Sequence, residues 1–193
     1  MDFELIKNYL LVVNIIGFVL YAINTMLYRY TADKNVDVLI TICSLAGGSL
    51  GIVGAIFLFD RKAGKENMMS RVFVFCVLII QIVIVLWITG HHGEKLNFGF
   101  IQFFQDNKVI IIYLLAINVI AFVAYGVDKL NAMNGRSRIA IVTLLILAGV
   151  GGSIGGLIAM YLFRHKTNKD YFTVGIPLIL LMQITVIFYV MNL

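Results

Sequence analysis

The stretch Gly47-Gly48-Ser49-Leu50-Gly51 interrupts an apolar run over residues 36–59, and Gly151-Gly152-Ser153-Ile154-Gly155 interrupts another over 139–163. The two are 104 residues apart. The same shift relates residues 11–65 to 115–169 without a gap, with seventeen identities over 55 positions, among them Asn14/Asn118, Phe18/Phe122, Tyr21/Tyr125, Ala55/Ala159, Phe59/Phe163, Lys62/Lys166 and Lys65/Lys169. Chance in so apolar a composition would give roughly five or six. This is the pattern of a duplicated module, and its period is too long for a solenoid unit. The expected organisation is a diverged first repeat over 1–90, a linker over 91–108 and a second repeat over 109–193.

Composition sets the class. The 193 residues are 61% hydrophobic and only 13% charged, with 17 glycines, one proline and a net charge of +5. Mean hydropathy is +0.98, far above that of a soluble domain. Asp2, Glu4 and Lys7 precede the first apolar run, which is not the basic start of a signal peptide, so that run is read as a retained span. Cys43 and Cys76 lie within apolar segments and read as small core residues. The expectation is an all-α, multi-pass membrane protein of six hydrophobic helical segments, roughly 9–28, 36–59, 72–88, 109–127, 139–163 and 171–190. These form two three-segment repeats with a Gly-broken middle segment in each.

Two threadings compete for the middle segments. If all six segments span, Lys7, Arg61, Lys62, Lys65, Arg71, Lys129, Arg136 and Arg138 fall on one side of the membrane. Arg29, Lys34, Lys95, Lys108, Arg164, Lys166 and Lys169 fall on the other, and the positive-inside bias vanishes. If the Gly-rich segments dip in and return, only Lys7, Lys95 and Lys108 lie opposite the remaining basic residues, which is a strong normal bias. Gly47-Gly48 and Gly151-Gly152 permit such a turn. Against this, Gly47, Gly51 and Ala55, like Gly151, Gly155 and Ala159, are spaced four apart, a small-residue stripe suited to helix packing in a continuous span. Re-entrant backbone also needs protein around it, which a short chain has little of. The six-helix description is the working fold.

The second repeat holds the richer polar set. Its first segment ends in Tyr125-x-x-Asp128-Lys129, its loop continues to Arg136-x-Arg138-Ile139, and the Gly-rich element is followed by Arg164-His165-Lys166-Thr167-x-Lys169-x-x-Phe172. The first repeat has Asn24-Thr25 and Asp60-Arg61-Lys62 at the matching places. Together these motifs resemble the small bacterial membrane proteins of the domain of unknown function 1294 family. The resemblance covers about residues 117–190, with residues 11–88 similar to a diverged second copy. It implies a bacterial cytoplasmic (inner) membrane location and no particular reaction. The family usually follows Arg-Ile with Pro-Glu, where Ala140 and Ile141 stand here.

Arg136, Arg138, Arg164, His165, Lys166 and Lys169 form a donor set suited to phosphate oxygens at a membrane surface, with Asp128 placed to orient Lys129 or an arginine. The expected ligand is an anionic phosphate-bearing headgroup at the cytoplasmic face. The plain alternative is that these residues are orientation signals and anchors to anionic lipid. The donors converge only if the Gly-rich element folds back. A small transporter or channel built from internal repeats is the second reading, and an accessory or assembly subunit, self-associating or bound to an unknown membrane partner, the third. An enzyme is disfavoured, because no Walker motif, zinc helix, nucleophile elbow or paired intramembrane carboxylates occur, leaving no catalytic residue to name. No cofactor and no nucleic-acid partner is expected. His91-His92-Gly93-Glu94 has poor spacing for a metal and reads as a solvated loop. The embedded amides Asn14, Gln81, Asn118 and Gln183 read as glue between helices.

Overall fold

The computed structural model describes residues 3–30, 37–60, 67–91, 93 and 96–193. Lys34, Arg61, Lys62, Lys65, Lys95, His92 and Glu94, which entered the charge count or the metal reading, lie outside them. Among the described residues every regular element is a helix. Two compact units divide within one helix, one over 1–82 and the other over 83–193. The first holds α1 (Phe3–Tyr30), α2 (Asp37–Cys43), α3 (Ser49–Phe59) and most of α4 (Met68–Ile88). The second holds α5 (Phe100–Asp106), α6 (Lys108–Met133), α7 (Ile141–Leu147), α8 (Ser153–Leu162), α9 (Asp170–Thr173) and α10 (Gly175–Met191).

Among the described residues six stretches are long and apolar enough to cross a membrane: Glu4–Leu27, Val38–Phe59, Met68–Ile88, Lys108–Met133, Ile141–Leu162 and Asp170–Met191. Two of the six are not straight. Gly151 sits at φ 127°, between α7 and α8, and Gly47 at φ 111°, between α2 and α3. That is the left-handed region where a Cβ is penalised.

The continuous-helix reading fails on contacts at the ends of the second element. The backbone N–H of Ile139, just before α7, donates to Asp128 Oδ1 at 2.9 Å. Lys166 Nζ and His165 Nε2, just after α8, reach Oδ2 of the same carboxylate at 2.9 and 2.8 Å. A straight helix over this stretch would hold those ends about 36 Å apart. The element therefore folds back and returns to the C-terminal end of α6. Its arms of seven and ten residues are about 10 and 15 Å long, and neither alone crosses a bilayer core. In the first unit, α2 carries the chain from Ile40, packed with Tyr21, to Cys43, whose thiol donates to Val13 O. Then α3 runs back from Gly51 at Asn14 to Asp60 at Tyr21.

A fold-back in apolar surroundings leaves the carbonyls at its tip without helical partners, and each must be met. Gln183 Nε2 on α10 donates to Ala148 O and Gly149 O at 2.6 and 2.9 Å. The Tyr113 hydroxyl donates to Val150 O, and Asn118 Nδ2 to Gly151 O at 2.9 Å. Asn118 Oδ1 also accepts the N–H of Gly155 at 2.7 Å, so one amide serves both the turn and the returning arm. In the first unit Gln81 donates to Ser44 O, Tyr9 to Ala46 O and Asn14 to Gly47 O, while Asn14 Oδ1 accepts Gly51 N–H. The embedded amides thus cap broken backbone as well as join helices.

The small-residue stripes divide into two roles. Gly47 and Gly151 provide the turn. Gly51 and Gly155 lie against backbone: a Cβ on Gly51 would come 1.9 Å from Asn14 O, and one on Gly155 2.0 Å from Asn118 O. Ala55 and Ala159 are fully buried. At the other end of the second unit, α10 ties down the preceding segment. Tyr189 donates to His91 O, the Asn192 side chain bonds both backbone groups of Asn97, and Trp87 stacks on Phe188.

The fold-back predicts a labelling result. With Cys43 and Cys76 replaced, single cysteines at Ser137 and Asn168, which flank the second element, should react with an impermeant maleimide from the same side of sealed vesicles. Labelling from opposite sides would refute the fold-back.

Candidate functional site

The site of the second unit is organised by a fully buried carboxylate. Asp128 has no solvent exposure, although it lies in the last two turns of α6 with Lys129 beside it. A buried charge needs a partner and further hydrogen bonds to be tolerated. Asp128 has Lys166, His165 and the Ile139 N–H, which together engage both of its oxygens. It does not hold Lys129 or an arginine, as the sequence suggested. Those residues sit within a turn of it or on flanking loops, but the exit of α8 reaches the carboxylate first.

Below the ion pair is an aromatic floor. Lys166 Nζ stands 4.5 Å from the centroid of Phe172, a cation–π contact, and Phe172 meets Tyr125 edge-on at 5.7 Å. Both rings are buried. Burial pushes the Lys166 ammonium below its ordinary range. The hydrogen bond and charge of Asp128 oppose this, and the Arg138 guanidinium nearby adds to it.

The chain accepts strain to make this arrangement. Arg164 at φ 46° and Lys166 at φ 64° are both left-handed, each at a cost of about 1–2 kcal/mol for a residue with a Cβ. They flank His165 on either side. Non-glycine residues persist in such conformations only where the surroundings over-determine them, and they cluster at functional sites.

The remaining members of the sequence-derived set stay outside. Arg136, Arg138, Arg164 and Lys169 are exposed and Lys129 is half-buried. None of their side chains forms an ion pair among the described residues. The two loops that carry the four exposed residues, 134–140 and 163–169, meet at the same end of α6 because Asp128 binds the start of one arm and the exit of the other.

The first unit carries a polar lock that sequence reading underrated. Asp60, at the end of α3, accepts from the Tyr21 hydroxyl at 2.9 Å and from Asn67 at 2.5 Å. Arg71 on α4 pairs with it at 3.0 Å and also donates to its backbone carbonyl. In the 104-residue register expected from the sequence, Asn24 stands at the place of Asp128 and Asp60 at the place of Arg164, so the acid of this cluster lies at the exit of α3. That acid-for-base exchange at an aligned position was the available signal. The carbonyl-capping tyrosines and the like capping roles of Gln81 and Gln183 were also missed. The glutamines are 102 residues apart, out of step with the 104-residue register.

Helices of membrane-crossing length, two of them folded back on polar caps, define the class: a multi-pass helical membrane protein. The chain belongs to the family described as Protein of unknown function (DUF1294), which matches residues 118–172. It is 37% identical over 75 residues to the Uncharacterized protein YsdA of Bacillus subtilis (strain 168), an alignment covering 39% of this chain and 84% of that protein. No solved structure matches the chain. The family window opens at the capping Asn118 and closes at Phe172 under Lys166, so it contains the whole fold-back and its lock. The Ala140-Ile141 departure falls at the start of α7, where proline and an acidic residue favour a helix N-terminus.

Proposed function

We propose that the second unit binds an anionic, phosphate-bearing headgroup at the cytoplasmic face of a bacterial inner membrane, and that the first unit is a diverged copy retaining the scaffold. The observation that carries the reading is the convergence of both fold-back loops on Asp128. It gathers Arg136, Arg138, Arg164 and Lys169 at one end of α6, and none of the four forms an ion pair among the described residues. Arginine forks suit phosphate oxygens, and the positive-inside bias supports assigning this end to the cytoplasm. His165 and Lys166 act from within, as the lock that positions the exposed donors.

The test uses the detergent-solubilised full chain titrated with soluble short-chain lipids. Each basic residue near a lipid surface contributes about 1 kcal/mol, so Arg136→Ala/Arg138→Ala/Arg164→Ala should weaken an acidic lipid on the order of 100-fold. Binding of a zwitterionic lipid should not change. Equal affinity of wild type and triple variant for the acidic lipid would refute the proposal.

A further inference from the structure

The apolar side of α5 is left open by the protein. At about 100° per residue, Phe100, Ile101, Phe103 and Phe104 share one arc of about 160°, and Gln102, Gln105 and Asp106 take the other. A helix of seven residues is marginal in water unless its apolar face is packed. Yet no residue of α5 is buried, and Ile101 is 77% exposed. Phe98, just before the helix, is 68% exposed. Contiguous apolar exposure of this kind marks a surface that something else covers.

The way the segment is held says what that is. At one end it is tied to the C-terminal end of α10. Asn97 N–H donates to Asn192 Oδ1 at 2.6 Å, Asn192 Nδ2 donates to Asn97 O at 3.2 Å, and the rings of Phe98 and Phe100 lie 5.5 and 6.1 Å from that of Phe188. At the other end Asn107 alone separates α5 from α6, a reach of at most about 3.6 Å. Lys108–Met133 and Asp170–Met191 are both of membrane-crossing length, so α5 is pinned at both ends where two spans leave the bilayer. Its apolar arc runs on into the exposed Val109 and Ile112 of α6, which belong to the lipid-facing surface of that span. The 26 residues of α6 are about 39 Å long, which sets α5 at the far end of that helix from the basic loops.

Charge says how the surface binds. Interfacial helices that seek anionic lipid carry Lys and Arg on the polar face. From Leu96 to Asn107 the one charged side chain is Asp106. We infer that α5 and Phe98 lie in the bilayer interface of the leaflet opposite the basic loops, with Phe100, Ile101 and Phe104 below the headgroups, held by apolar burial and indifferent to headgroup charge. The partner is thus a lipid leaflet recognised through its acyl–glycerol boundary. This stands apart from the anion-binding reading, which concerns the other end of α6.

The test places nitroxide labels on the full chain, with Cys43 and Cys76 replaced, at Ile101→Cys, Phe104→Cys, Gln102→Cys and Asp106→Cys, one at a time. Each is reconstituted in nanodiscs of phosphatidylcholine, and again in nanodiscs of phosphatidylcholine mixed with phosphatidylglycerol. Spin relaxation by oxygen, which partitions into lipid, is compared with relaxation by a water-soluble nickel chelate. An apolar face sunk ~5–10 Å into the interface should raise the oxygen-to-nickel ratio at 101 and 104 roughly threefold over that at 102 and 106. The two lipid compositions should give the same pattern. Equal ratios at all four positions would place the segment in water and overturn the inference. Labels at 101 and 104 shielded from both agents would mean that a second copy of the chain covers the face, which also overturns it. A pattern that appears only with phosphatidylglycerol would make the attachment electrostatic and overturn the claim of indifference to charge.

Discussion

Replacing Asp128 by alanine is expected to destabilise the second unit by about 3–5 kcal/mol, the usual cost of removing one member of a buried ion pair. Three groups lose their partner together: the Lys166 ammonium, the His165 Nε2–H and the Ile139 N–H. The first is a charge over an aromatic floor with 13% of its side chain exposed, so water compensates little. The loss should be read as a lower SDS concentration for unfolding, and as faster trypsin cleavage in the 134–140 and 163–169 loops. A double-mutant cycle gives the sharper result. Lys166→Met alone leaves a buried carboxylate, whereas Asp128→Ala/Lys166→Met removes both charges. The double variant should therefore be less destabilised than the sum of the singles, by more than the few tenths of a kcal/mol seen for independent sites. Strict additivity would mean the two side chains do not meet.

Gly155→Ala is expected to be comparably damaging for a different reason. The new Cβ would lie 2.0 Å from Asn118 O and 2.7 Å from its carbonyl carbon. Both are backbone atoms of α6, so α8 must move away. Doing so breaks the Gly155 N–H to Asn118 Oδ1 bond and with it the amide that caps Gly151 O. Overpacking costs about 1–3 kcal/mol, and losing buried backbone bonds adds to that, so about 3 kcal/mol or more is expected. Gly149→Ala is the internal control. Nothing lies within 4 Å of its added Cβ, and its carbonyl would still accept from Gln183. The pair is compared by monodisperse yield and thermal unfolding in the same detergent. Equal behaviour would show that the arm does not lie against α6 at Gly155.

Much of this architecture is legible in one dimension. Apolar runs of membrane length without the alternation of barrel strands leave helices as the viable elements, because backbone groups in lipid must be satisfied internally. The lysine and arginine count already pointed to the fold-back. The glycine spacing did not decide it, since Gly151, Gly155 and Ala159 serve equally as a packing stripe and as a hinge with a packed arm. The site was legible as a list of residue types and not as roles. Six basic residues in two loops read alike, yet Lys166 and His165 turn inward while Arg136, Arg138, Arg164 and Lys169 stay exposed. The difference lies in two left-handed residues and one carboxylate 37 and 38 positions away, which no local pattern encodes.

Hydrophobic length and composition alone determined that the chain is helical and membrane-embedded, since burying apolar surface and closing backbone bonds depend only on what the residues are. The path of the glycine-broken segments was decided by tertiary structure. A broken helix exposes carbonyls whose cost depends on who stands opposite, and Tyr113, Asn118 and Gln183 stand there. With those groups met and Asp128 binding both ends, the return path is stable.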